Sequence, residues 1–155
     1  MNQKPEVRLV ELKPSRVASF RAVGKHPENE ALNAISSWAK ENGFESSGKN
    51  RIFGFDNPGP VSGKDTYGYE VWLTVGSDAT ESEGITVRDF SGGLYAVMRT
   101  GLAEIGDSWK HLVRWCKSGK YGEDDRQCLE EHISPLGTPP DSFELDLYLP
   151  VEKQD

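Results

Sequence analysis

The chain has 155 residues, of which 35% are hydrophobic and 28% charged, and its formal net charge is −7. Such a length and composition are typical of one globular domain with a sizeable core. The acidic balance and the lack of a Lys/Arg cluster argue against direct binding to nucleic acid.

Other bulk features predict a reduced, cytoplasmic protein. No apolar run approaches the roughly 20 residues of a membrane span, so no membrane association is expected. The first residues lack the apolar core of a signal peptide. The two cysteines, Cys116 and Cys128, have neither a metal-ligand spacing nor a disulfide framework.

The first half of the chain combines strand patterns with one helix pattern. A loop begins at Gly24, and apolar residues then recur at helical spacing until Gly43, which is typical of a residue that ends a helix. A dense turn signal at 56–60 separates two further strands. The expected elements are strands at 7–11, 16–23, 51–55 and 67–75 and a helix at about 30–42.

After an acidic linker at 77–84, the same order of elements starts again. Ser91-Gly92-Gly93 is interpreted as a hairpin turn between two strands. A second amphipathic helix follows, and the next strand carries acids where strands usually carry Val or Thr. The expected elements are strands at 85–89, 94–100, 126–135 and 143–151 and a helix at about 107–118.

Matching residues recur at a nearly constant offset. Gly24 lies 77 positions before Gly101, and Trp72 lies 76 positions before Tyr148. We therefore predict one α+β domain spanning 1–155, built from two ββαββ-like repeats at about 5–76 and 84–152. The repeats are expected to form one antiparallel sheet with both helices on one face.

The opposite face is predicted to mix aromatic rings with acids. Leucines alternate with polar residues in 143–151, so Tyr148 and Asp146 point away from the helices. The repeat places Trp72 and Glu70 with them, and Glu130 and His132 share one face of their strand, whereas Leu129, Glu131 and Ile133 share the other. This mixture favours a pocket wall, although an edge strand whose acids face water is the alternative.

Other candidates follow from the repeat and from motif searches. Phe55 lies 77 positions before His132, so both should line the site if either does; Tyr95 is a further candidate whose face is open. His26, His111 and His132 are far apart, so no metal site is predicted. No nucleophile elbow or P-loop is present, and neither a catalytic residue nor a cofactor is assigned.

The order of several motifs resembles the GyrI-like small-molecule-binding domains, which also occur as effector-binding domains of AraC-type and MerR-type multidrug-responsive regulators. The resemblance rests on the segments 67–75, 90–97, 128–132 and 144–151 and on the helix with Trp115. It implies a ligand groove between two repeats, on the face opposite the helices. It also implies a central Glu that recognises lipophilic, often cationic ligands among aromatic rings.

Glu130 takes the position of that central Glu, because it follows Cys128-Leu129. Two departures from the family pattern are visible. Glu131 adds a second acid where an apolar residue is common, so either Glu130 or Glu131 faces the groove. His132 stands where an aromatic residue is frequent.

Three functions follow from this interpretation. The first is binding of hydrophobic, including cationic, small molecules for drug sensing or sequestration. The second is hydrolysis of electrophilic xenobiotics, with Glu130 or Glu131 positioning a water as general base. The third is a gyrase-interacting inhibitor. No helix-turn-helix is expected beside the duplicated domain, so a direct role as a transcription factor is not predicted, and a separate regulator is a candidate partner.

Overall fold

The computed structural model describes residues 6–43, 50–82, 84–119, 121–135 and 137–153. Over these residues the fold is α+β, as predicted, with antiparallel strands and two α-helices. The strands are β1 Arg8–Leu12, β2 Ser15–Gly24, β3 Ile52–Asp56, β4 Tyr67–Val75, β5 Thr86–Phe90, β6 Gly93–Gly101, β7 Tyr121–Glu123, β8 Leu129–His132 and β9 Glu144–Lys153. The helices are α1 Pro27–Glu41 and α2 Ile105–Ser118, and short 3₁₀ turns lie at Leu102–Glu104 and Pro140–Ser142.

The chain divides into two compact units, residues 14–91 (the central unit) and residues 1–13 with 92–155 (the terminal unit). In the central unit the strands pair in the order β5-β2-β4-β3, all antiparallel. Helix α1 begins at Pro27, whose fixed φ suits a first turn, and Glu28 and Glu30 lie near the positive end of its dipole.

One face of this sheet packs against α1. The helix contributes apolar side chains at helical spacing, and β2 and β4 contribute every second residue. Ile35 is fully buried, and burial of such a side chain contributes roughly 2 kcal/mol to stability. The core of the central unit contains Ala18, Ala22, Leu32, Ile35, Trp38, Tyr69, Val71 and Leu73.

The terminal unit repeats this plan. Its strands pair in the order β1-β6-β9-β8, and the short strand β7 pairs with the end of β9. Helix α2 follows β6 and packs on β6 and β9. The core contains Ala96, Met98, Leu112, Cys116, Leu147, Leu149 and Val151. Strand β7 is absent from the predicted elements, because three residues are too few to show a strand periodicity.

The first strand of each predicted repeat does not form a hairpin with the strand that follows it in the chain. Strand β1 pairs with β6, and β5 pairs with β2. The interpretation of Ser91-Gly92-Gly93 as a hairpin turn is therefore wrong, since β5 and β6 are paired with other strands. Gly92 has φ +69°, and a Cβ there would lie 2.2 Å from the carbonyl oxygen of Leu12. This glycine thus permits a close passage of two chain segments that a hairpin does not require.

The compact units are accordingly not the two sequence halves. The terminal unit contains β1 from the first predicted repeat, and the central unit contains β5 from the second. The repeat bounds of about 5–76 and 84–152 remain a prediction from the sequence. Cys116 and Cys128 are free thiols. Among the described residues, no helix is long and apolar enough to cross a bilayer.

Candidate functional site

In each unit the helix covers one face of the sheet, and we call the opposite face the helix-free face. Directly paired residues of antiparallel strands point to the same face, so the strand register identifies its members. In the central unit it carries Ser19, Phe53, Phe55, Glu70, Trp72, Arg88 and Phe90. In the terminal unit it carries Tyr95, Val97, Arg99, Leu129, Glu131, Asp146 and Tyr148.

The register of β8 corrects the predicted placement of Glu130 and His132. Glu130 pairs with Leu147 and His132 with Leu145, on the face that packs towards α2. Glu131 pairs with Asp146 instead, on the helix-free face. A shift of one residue moves every side chain of a strand to the other face, and two adjacent glutamates give no alternation from which to fix it. Of the two glutamates, Glu131 is therefore the one on the helix-free face.

Glu131 lies in an aromatic surrounding in the terminal unit. The Tyr148 hydroxyl donates a hydrogen bond of 2.7 Å to Glu131 Oε1. Tyr148 and Tyr95 are both 1% exposed and meet edge to face, with ring centroids 5.7 Å apart. The predicted orientation of Tyr148 away from the helix is confirmed, and Tyr95 lies beside it. The arrangement is a buried acid oriented by one phenol that is itself held by a second ring.

Arg126 holds Tyr95 and was not among the predicted site residues. Its guanidinium lies 4.6 Å from the centroid of the Tyr95 ring. It donates hydrogen bonds to the carbonyl oxygens of Gly92, Leu94 and Val151 at 3.1, 2.7 and 3.1 Å. Burial raises the pKa of the Tyr95 phenol, and the charge of Arg126 opposes that rise. No spacing rule connects position 126 with strands β6 and β9.

Asp146 lies on the predicted face but is paired with arginines of the protein. Arg8 Nη2 is 2.6 Å from Asp146 Oδ2, and Arg99 Nε donates to Asp146 Oδ1. The hydrogen bond with Asp146 raises the pKa of Arg99 further above its ordinary value. Asp146 is 2% exposed, so these pairs compensate a charge that burial would otherwise make costly. We interpret Asp146 as a structural ion-pair centre.

Glu70 occupies the corresponding place in the central unit and is 5% exposed. Its Oε2 accepts hydrogen bonds from Trp72 Nε1 at 2.6 Å and from Ser19 Oγ at 2.9 Å. Its Oε1 accepts a hydrogen bond from Asn57 Nδ2 at 3.0 Å. Arg88 Nη1 lies 3.7 Å from Oε2. The predicted face of Glu70 and Trp72 is confirmed.

Trp72 lies within an aromatic cluster. Its ring meets Phe55 edge to face at 5.0 Å and is tilted against Phe90 at 5.5 Å, and Phe90 lies 6.3 Å from Phe53. Phe55 was predicted for this face, whereas Phe53 and Phe90 were not singled out. Phe90 was expected only as part of a family motif, although its aromatic type at a strand end is a usable signal.

The predicted match between Phe55 and His132 is wrong by one residue. Phe55 pairs with Glu70, and Glu131 pairs with Asp146, so Phe55 corresponds to Glu131 at the offset of 76 that relates Trp72 to Tyr148. The offset of 77, which relates the two helices, does not apply to β3 and β8.

His132 instead packs edge to face against Phe143, with ring centroids 5.6 Å apart. Desolvation lowers its pKa to about 4, against a smaller opposite effect of Glu131. The imidazole is therefore neutral at pH 7. Across the described part of the chain, no group of three or more His, Cys, Asp or Glu side chains is arranged to hold a metal ion.

Comparison with solved structures shows the same fold in proteins of different kinds. EcmrR in a complex with DNA matches with TM-score 0.74 and 13% identity over 96% of this chain and 58% of EcmrR. A hydrolase from Listeria innocua matches with TM-score 0.70 and 13% identity, over 97% of this chain and 94% of that protein. SAV2435 bound to tetraphenylphosphonium matches with TM-score 0.55 and 11% identity, over 95% of this chain and 98% of that protein.

These identities are low, so the structural matches establish the fold and leave the activity open. This chain spans a little over half the length of EcmrR. Comparison with curated protein sequences gives no match. The model of the GyrI-like small molecule binding domain matches residues 5–152, nearly the whole chain. The chain therefore belongs to the family of GyrI-like small molecule binding domains.

Proposed function

We propose that the chain binds hydrophobic organic cations, and that Glu131 is the acid that recognises the positive charge. The observation that carries this proposal is the hydrogen bond from Tyr148 to Glu131 within a pair of buried tyrosines. A small-molecule ligand follows from the family. The charge of the ligand and the choice of acid are the parts proposed here.

The chemistry of the helix-free face favours a cation. A carboxylate that is 8% exposed has lost most of its hydration, and a bound cation of low hydration restores part of the lost interaction. Aromatic faces attract cations by roughly 0.5–2 kcal/mol per good contact. Tyr148 keeps the carboxylate oriented before a ligand arrives, which lowers the ordering cost of binding.

The helix-free face of the central unit carries aromatic rings of its own. Trp72 is half-buried and is held between Phe55 and Phe90. Apolar walls with few polar groups suit hydrophobic ligands of varied shape. The tetraphenylphosphonium ion bound by the structurally similar SAV2435 is a ligand of this class, so we choose it as the probe.

Adjacent glutamates on opposite faces of β8 provide a matched pair of variants. Glu131→Gln keeps the size of the side chain and an oxygen that can accept from Tyr148, but removes the charge. Glu130→Gln makes the same chemical change on the face towards α2. Isothermal titration should show that Glu131→Gln weakens tetraphenylphosphonium binding about tenfold or more, roughly 1.4 kcal/mol, whereas Glu130→Gln binds like the unchanged protein.

A neutral probe separates charge recognition from simple apolar contact. Triphenylphosphine oxide has similar aryl groups and no net charge, so Glu131→Gln should leave its affinity unchanged. Equal effects of both glutamine variants on the cation, or an equal loss of both probes, would contradict the proposal. Mass spectrometry of the recovered ligand should show it unchanged, and a hydrolysed product from an electrophilic ligand would indicate the enzymatic alternative.

A further inference from the structure

Both carboxylate oxygens of Glu70 accept hydrogen bonds from other side chains of the protein. Glu70 is 5% exposed, and it accepts hydrogen bonds from Trp72, Ser19 and Asn57. These donors come from three segments, namely β4, β2 and the turn after β3. The carboxylate is therefore fixed in position, and each of its oxygens already has at least one donor.

One of these hydrogen bonds links the acid to an accessible ring. Glu70 and Trp72 are two residues apart on β4 and share the helix-free face. The indole N–H donates to the carboxylate at 2.6 Å, which is short for a bond of this type and is typical of charge assistance. Phe55 and Phe90 hold the ring of Trp72 by packing at 5.0 and 5.5 Å. The indole is thus fixed by one polar bond and two ring contacts.

We propose that Glu70 is a positioning residue that fixes the Trp72 indole and increases the attraction of its ring for organic cations. This inference rests on the proposed function, because it concerns how the same class of ligand is recognised. Cation–π attraction is electrostatic. A carboxylate held at the N–H edge adds negative potential to the ring, and a cation on the ring face experiences both.

Arg88 limits this effect. Its guanidinium lies 3.7 Å from Glu70 Oε2, and its side chain is 49% exposed whereas that of Glu70 is 6% exposed. The arginine cancels part of the negative potential of the acid, although solvent screens such an exposed charge. Removal of Glu70's charge and removal of Arg88's charge should therefore change the attraction of Trp72 for cations in opposite directions.

Quenching of tryptophan fluorescence tests this directly. The probes are N-methylpyridinium, which is a cation, and acrylamide, which is neutral. Subtraction of the signal of Trp72→Phe isolates the contribution of Trp72 from the other three tryptophans of the chain. The ratio of the two quenching constants then reports the local attraction for cations, independently of ring exposure.

The expected changes have opposite signs. Glu70→Gln should lower the ratio about threefold, the size of a cation–π contribution at an exposed site, while acrylamide quenching stays constant. Arg88→Gln should raise the ratio about twofold. Asp89→Asn is the matched control, because Asp89 is an exposed acid that follows Arg88 in β5 and pairs in register with Arg16. It should leave the ratio within error.

Several results would overturn the inference. If Glu70 acts only as structural support, Glu70→Gln changes acrylamide and pyridinium quenching alike, and Arg88→Gln does not raise the ratio. If Glu70→Gln does not fold, the ratio of quenching constants in Arg88→Gln is the test. A ratio that does not rise in Arg88→Gln refutes the positioning role of Glu70. Tetraphenylphosphonium titration of the unchanged protein is read separately. Absence of binding with the expected quenching changes refutes the proposed function and supports the role of Glu70.

Discussion

His132 should make the protein lose stability as the pH falls from 7 towards 4. Its pKa in the folded protein is about 4, because burial disfavours the imidazolium, whereas the ordinary value is 6.5. The unfolded chain therefore takes up a proton first, and folding stability is full above pH 6.5 and decreases as the pH falls through the window between the two values.

The size of the effect follows from the two pKa values. A shift of one pKa unit corresponds to about 1.4 kcal/mol, so the full loss for His132 approaches roughly 3 kcal/mol at pH 4. At pH 5 the loss relative to pH 7 is about 2 kcal/mol by the same relation. Urea unfolding of the unchanged protein and of His132→Gln at pH 7 and pH 5 measures this loss, since glutamine does not titrate.

The difference between the two proteins isolates His132 from the acids that also titrate in this range. The free energy of unfolding of His132→Gln should fall by about 2 kcal/mol less than that of the unchanged protein between pH 7 and pH 5. His26→Gln is the matched control, because His26 is exposed, and it should keep the full dependence on pH. An equal decrease in the unchanged protein and in His132→Gln would refute the reasoning.

Three further predictions concern stability. Tyr148→Phe removes the hydroxyl that donates to Glu131 and should lower the free energy of unfolding by about 1–3 kcal/mol in urea titrations. Gly92→Ala should lower the free energy of unfolding by about 2 kcal/mol, because Gly92 has a positive φ and a Cβ there would meet the carbonyl group of Leu12. Gly106→Ala should instead raise the melting temperature slightly, because Gly106 lies in open space at the start of α2. Asp146→Asn leaves two arginines less well paired and should cost about 1–3 kcal/mol, with a smaller cost at high salt.

Much of the fold was predictable because its periodicities are regular. Strand β4 occurs at the predicted bounds of 67–75, and both helices end within one residue of the expected positions. Leu145, Leu147 and Leu149 alternate with polar or aromatic residues, so the face of Tyr148 followed from the sequence. The partner of each edge strand was not predictable, since β1 and β5 are short and either could form a local hairpin.

The residue types of the candidate site were predictable from the sequence, whereas the register of β8 was harder to predict. Strand β8 has only four residues, and its two glutamates satisfy either face. The correct assignment was present in the sequence, because the offset of 76 between Trp72 and Tyr148 relates Phe55 to Glu131. Contacts that depend on a loop, such as the hydrogen bonds of Arg126 to three carbonyl oxygens, have no periodicity and could not be predicted.

Corresponding rows of side chains in the two units carry different groups. In the central unit, register aligns Phe55, Glu70 and Arg21 across three strands. The same row of the terminal unit contains Glu131, Asp146 and Arg99. The middle acid is buried and bonded in both rows. The first position differs, as it is a ring in one row and a carboxylate in the other.

This difference suggests where selectivity for charge arises. The middle acids are held by neighbouring donors, so neither needs a ligand for compensation. Exchange of an aromatic ring for a carboxylate at the first position adds a charge to the terminal unit that the central unit lacks. If that charge recognises the ligand, Glu131→Phe should make the terminal row resemble the central one and shift preference from tetraphenylphosphonium to triphenylphosphine oxide. A variant that folds and keeps the preference for the cation would locate recognition elsewhere.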